Sequence, residues 1–142
     1  MNKQKLSLKV DRAISELRRG GQIVISDFKT GVSVLLMAAE MIDSESINDI
    51  SQNTSSSPNL ILSSNRSNAL GLNTNNCPCS ISINKEWSLD DILSLCMPLY
   101  KHPKPKLNGV IFENVNSITS ICILLLRQAR LLPAGVMSII SN

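Results

Sequence analysis

Aromatic side chains are scarce in this 142-residue sequence, at 3%. Phe28, Trp87, Tyr100 and Phe112 stand far apart, so they form no stacking platform for single-stranded nucleic acid. A dense basic face is missing as well. The net charge is only +3, drawn from Lys3, Lys5 and Lys9, from Arg18-Arg19, and from Lys101, Lys104 and Lys106. Nucleic acid is therefore not an expected partner. Long apolar runs are also lacking: Ile121 to Leu126 is far too short to span a bilayer, so no membrane association is expected. The opening Met1-Asn2-Lys3-Gln4-Lys5 has no apolar signal-peptide region. A reducing, cytoplasmic setting is expected, with Cys77, Cys79, Cys96 and Cys122 as free thiols. Glycine-rich phosphate loops are absent, because Gly31 and Gly71 belong to no such motif.

What the sequence does have is aliphatic bulk. Hydrophobic residues make up 43%, enough for a core of Ile, Leu, Val, Ala and Met without a staple. The length suits one domain. Residues 1–9 read as a loose basic lead-in and 10–142 as the domain. Helical spacing of Val10, Ala13, Ile14 and Leu17 predicts a helix over Asp11–Arg19, stopped by Gly20-Gly21. Gln22–Ser26 reads as a strand, Asp27–Gly31 as a connector, and Val32–Glu40 as either strand or helix. A helix over Ser44–Ser51, capped by Asp43 or Ser44, precedes a loop and the strand Asn59–Leu62. Next come a short helix Asn65–Leu70 stopped by Gly71, a strand Ser80–Ile83, and a helix opened by Ser88-Leu89-Asp90-Asp91 and closed by Pro98. The strand Gly109–Phe112 leads to the longest helix, Ser117–Arg130, capped by Ser117. A turn at Pro133-Ala134-Gly135 and an apolar strand follow. Alternating strands and helices with short connections predict an α+β (layered α/β) domain with a mixed sheet and flanking helices.

The order of these pieces resembles the 3,4-dihydroxy-2-butanone-4-phosphate synthase family, which acts on ribulose 5-phosphate in riboflavin biosynthesis. The resemblance rests on Arg12–Ile25, on Ala38-Ala39-Glu40, on Leu60–Leu62 with Asn65–Leu72, and on Pro133-Ala134-Gly135-Val136. The run Ala129–Ala134 is similar to the degenerate version of this domain that precedes GTP cyclohydrolase II in some bacterial fusion proteins. The resemblance implies a single synthase-like domain. That family's fold continues past this strand with another helix and strand, so a truncated or shorter domain is expected here.

The resemblance also implies where the chemistry should stand. The family's acidic loop after the first strand, which holds Mg²⁺ and substrate, corresponds to Asp27-Phe28-Lys29-Thr30-Gly31, where Asp27 and Lys29 are the remnants. The family's metal-binding histidine, in a Gly-His-Thr-Glu run, falls on Ile118, with Thr119 kept and Ser120 in place of the glutamate. Its essential glutamate on the closing strand falls on Ile139. Its Thr-rich phosphate stretch is replaced by Glu86–Asp91. Without both ligands and the acid–base carboxylate, no group remains to polarise a sugar carbonyl or move its protons. Asp27, Lys29 and Thr119 are the candidate remnant residues, and no cofactor or metal is expected.

Other groups read as ordinary structure. Cys77-Pro78-Cys79 resembles part of the cyclohydrolase zinc site but lacks its third cysteine; zinc needs more ligands, and loop thiols are expected. Cys96 and Cys122 fall on buried helix faces. His102, the only histidine, is expected to be a solvated loop residue without a partner. Glu40, Asp43 and Glu45 are expected to favour a helix N-terminus electrostatically. The expected function is structural: a catalytically degenerate domain acting as a homodimer or docked on a GTP cyclohydrolase II domain. The alternatives are an active, Mg²⁺-dependent lyase releasing formate, and a gene remnant without function.

Overall fold

The computed structural model describes residues 3–53, 57–72, 77–107, 112–114 and 117–141. Its sheet has six strands: β1 (Ile23–Asp27), β2 (Val32–Ala38), β3 (Asn59–Leu62), β4 (Cys79–Ser82), β5 (Phe112–Asn114) and β6 (Ala134–Ser141). Their spatial order is β1-β2-β6-β3-β4-β5. Every pairing is antiparallel, which corrects the expected mixed sheet and bears out the layered α+β class. The helices are α1 (Lys3–Arg18), α2 (Ser44–Asn53), α3 (Ser64–Ala69), α4 (Leu89–Cys96) and α5 (Ser117–Gln128), with a 3₁₀ turn at Ala39–Met41.

Alternation along the strands gives the sheet two apolar faces. Val34, Leu36, Ile61 and Met37's neighbour Ala38 meet Leu17 of α1 and Ile118, Cys122 and Leu126 of α5. Leu60, Leu62, Ile81 and Val136 face the other way, toward Ile50 of α2 and Ile92 and Leu95 of α4. The sheet is thus buried between two helix layers.

The ambiguous segment 32–40 resolves into β2 and the 3₁₀ turn. Leu35 to Ala38 contains good helix formers, but β1 and β6 flank it on both sides, and tertiary pairing overrides propensity. Helix α1 begins at Lys3, so residues 3–9 are helical where a loose lead-in was expected. At 16 residues it is longer than α5, which has 12. The expected strand 109–112 appears only as β5; residues 109–111 lie outside the described residues, as does the side chain of Ser117 expected to cap α5.

Both long helices end in the same motif. The amides of Gly20 and Gly21 bond the carbonyls of Leu17 and Glu16, at 3.1 and 2.9 Å, and those of Arg130 and Leu131 bond Arg127 and Leu126, at 2.9 and 3.0 Å. The motif places one residue in the left-handed region. In α1 that residue is Gly20 (φ +83°), whereas in α5 it is Arg130 (φ +60°). A side chain there costs about 1–2 kcal/mol, partly offset by the greater unfolded-state freedom of glycine. Arg130→Gly is accordingly expected to stabilise the domain by about 0.5–1 kcal/mol. The check is a higher urea midpoint at unchanged slope.

Candidate functional site

Of the positions singled out by the resemblance, the stretch Glu86–Asp91 lies on the α4 side of the sheet, at the start of that helix, whereas Asp27, Ile118 and Ile139 belong to the side covered by the layer of α1 and α5. Ile23 and Ile25 of β1 face that layer, and by strand alternation Asp27 shares their face. Across the sheet Ile25 pairs with Val34, and Val34 with Ile139, so Asp27 and Ile139 lie on one face with β2 between them. A bulge between Ser33 and Val34 interrupts the ladder at this point. Helix α5 packs against β1 and contributes Ile118 and Thr119 in its first turn. Lys29 stands exposed in the β1–β2 turn.

Asp27 and Ile118 have local structural tasks. One Asp27 carboxylate oxygen accepts the Lys29 amide at 2.9 Å, and its carbonyl accepts the Gly31 amide at 2.8 Å. Asp27 therefore closes the turn, with Gly31 at φ +74° completing it. Ile118 is only 3% exposed and belongs to the core between α5 and the sheet. Thr119 is buried at 2%. Ile139, at 36%, remains partly open to solvent.

A magnesium ion takes oxygen ligands in near-octahedral order. Asp27 brings one carboxylate to this place, and Ile118 and Ile139 bring none. No three His, Cys, Asp or Glu side chains converge anywhere among the described residues. The described side chains here do not fit such an ion.

The remaining candidates are dispersed. Cys79 is a buried residue of β4, not a loop thiol; its sulfur lies 2.9 Å from the Ser67 hydroxyl, and burial raises its pKa. Burial likewise pushes the Cys96 and Cys122 thiols up to about 12, which leaves them inert as nucleophiles at neutral pH. His102 is half-buried rather than solvated. Its Nε2 lies 2.8 Å from an Asp91 carboxylate oxygen, while Tyr100 donates its hydroxyl hydrogen to Asp90. The 99–107 segment is thereby strapped to the start of α4. Asp91 also accepts the Ser88 amide, and that bond, with His102, holds its carboxyl below the usual carboxylate range.

The three acids at the start of α2 separate in role. The Asp43 carboxylate accepts the Ser46 amide at 2.8 Å and caps the helix, and Glu45 occupies its first turn. Glu40 instead accepts the amide of Leu132 at 2.7 Å, pinning the turn between α5 and β6.

On the opposite helix layer lies a cleft of about 580 Å³ between α2 and the β4–α4 turn. Sequence reasoning missed it, although the only tryptophan, Trp87, set among Asn, Lys and Glu, was a visible signal.

No protein-family model and no curated protein matches the sequence. Solved structures do match its fold. A two-domain 3,4-dihydroxy-2-butanone 4-phosphate synthase from A. baumannii superposes with a TM-score of 0.66 at 18% identity, over 94% of this chain and 48% of that one. The synthase of Candida albicans gives 0.61 at 21%, over 91% and 78%. A synthase in complex with two magnesium ions gives 0.67 at 16%, over 92% and 74%. By these superpositions the chain has the fold of the 3,4-dihydroxy-2-butanone 4-phosphate synthases.

Proposed function

We propose that this chain is a riboflavin-pathway domain that keeps the synthase fold without the lyase reaction, and serves as a structural or dimerisation module of a GTP cyclohydrolase II-type protein. Ile118 carries this reading. It occupies the first turn of α5, where the resemblance puts a metal-binding histidine, and it is sealed into the core at 3% exposure. A hydrocarbon side chain there can neither hold a cation nor transfer a proton. Ile139 stands where the resemblance puts the acid, and Asp27 is engaged in its own turn.

Exposed apolar groups support the interaction role. Phe28 at the hairpin tip is 94% exposed, and Ile121 and Leu124 lie on the outward side of α5 at 43% and 54%. Covering such groups is favourable by roughly 25 cal/mol per Å². The partner is a second copy of this chain or a cyclohydrolase domain.

Incubation of the purified chain with ribulose 5-phosphate and Mg²⁺ is expected to release no formate above the blank. Turnover that disappears in Asp27→Ala would establish the active, Mg²⁺-dependent lyase in its place. Sedimentation at micromolar concentration is expected to show a dimer, or a complex with a separately expressed cyclohydrolase domain. A strict monomer that binds no such domain would remove the module role.

A further inference from the structure

The cleft on the α2–α4 side lies across the sheet from the site described above, and its chemistry is of another kind. Ile47, Asn48 and Ser51 of α2 form one wall; Asn84, Lys85 and Trp87 form the other. Positions 47, 48 and 51 share one helix face by their spacing. Its volume of about 580 Å³ falls in the range of small-molecule sites, roughly 300–1,000 Å³.

The second wall is preorganised. The Trp87 amide bonds the Asn84 carbonyl at 3.0 Å, and the Asn84 side-chain oxygen accepts the Glu86 amide at 2.8 Å. The reciprocal Ser88–Asp91 capping box follows immediately. Trp87 is therefore held on a tight turn, half-buried and packed against the core on this side of the sheet. Asn84 lines the cleft and keeps its amino group as a donor beside the bond from Glu86. The Asn48 carboxamide and the Lys85 ammonium make no side-chain hydrogen bond or ion pair among the described residues. An aromatic ring, two amides and an ammonium group thus line one cavity.

We propose that this cleft binds a planar heteroaromatic anion of mononucleotide type. The ring stacks on Trp87. The Asn48 and Asn84 amides meet the polar edge of the base, and Lys85 pairs with the phosphate as a point charge. This assignment does not rest on the module reading, which is carried by Ile118, Ile139 and Asp27.

Trp87 is the only tryptophan, so its fluorescence reports the cleft directly. The intact chain is titrated with AMP and GMP, with adenosine and guanosine, and with inorganic phosphate. Saturable quenching by at least one nucleotide is expected, with a Kd below about 1 mM. Lys85→Met should weaken nucleotide binding about tenfold while leaving nucleoside binding unchanged, and Asn48→Ala should weaken both. Circular dichroism confirms that each variant is folded, and Trp87→Phe, read by calorimetry, should retain binding through its remaining ring. No saturable change up to about 10 mM, an equal response to phosphate alone, or indifference to both substitutions overturns the proposal. So does a fluorescence shift driven by protein concentration alone, which would mark the cleft as a contact with a second copy.

Discussion

Replacing Gly135 by alanine is expected to destabilise the domain by about 3 kcal/mol, the upper part of the range for overpacking a tight interior. Gly135 sits in β6, paired with Ala38 on one side and Ile61 on the other. A Cβ at this position would lie 2.9 Å from the Met37 carbonyl oxygen, 3.0 Å from a Leu36 methyl and 3.2 Å from a Leu126 methyl. The nearest obstacle is backbone, so it cannot swing aside as a side-chain end would. Either the β2–β6 ladder opens or α5 lifts from the sheet. Gly31→Ala serves as the control: nothing lies within 4 Å of its added Cβ, though its φ of +74° disfavours a side chain. That variant should lose only about 1 kcal/mol. Urea unfolding of the two compares them; equal losses would show that crowding at Gly135 is relieved cheaply.

Arg66→Ala is expected to cost a similar amount, about 2–4 kcal/mol, from lost charge-assisted hydrogen bonds. Arg66 reaches from α3 to the end of α4, where its Nε donates to the Leu95 carbonyl at 2.7 Å and its Nη2 to the Ser94 carbonyl at 3.0 Å. Those carbonyls belong to the last turn of α4, which has no following turn to satisfy them. The positive charge also suits the negative end of the helix. Ser94 and Leu95 are both fully buried, so water is a poor substitute. Arg66→Lys can reach one carbonyl but not hold both, and should recover part of the loss. Full recovery by lysine would assign the effect to charge alone.

Local signals in the sequence were legible where one short segment decides the outcome. The Gly20 stop, the Ser88–Asp91 capping box and the Asn59–Leu62 strand all stand where the residues indicate. Segment 32–40 was not legible, because its inner residues are buried on both faces and carry no clear period of two. Long-range partners were hidden for a different reason. His102 meets Asp91 only because the chain folds back over α4, and Glu40 meets Leu132 from 92 residues away. At the start of α1, Lys3, Lys5 and Lys9 mask the helical spacing of Leu6 and Val10. The candidate site was legible through its losses, since Ile118 and Ile139 are informative only beside a family in which those positions carry polar groups. The cleft beside Trp87 was not legible, because α2 and the β4–α4 turn meet only in the fold.

The position of β6 has a consequence for the order of assembly. It follows the other five strands in the chain yet lies at the centre of the sheet, between β2 and β3. While a ribosome is still making residues 134–141, the β1–β2 hairpin and the β3–β4–β5 ribbon have no common strand to join them. The two inner edges, β2 and β3, then face solvent with unpaired amides and carbonyls, open to pairing with other chains. Closing the sheet brings Ala38 beside Gly135, a distant pairing that carries its entropy cost before any reward. Nascent chains of this protein should therefore lean on holding chaperones for longer than a helical bundle of the same length.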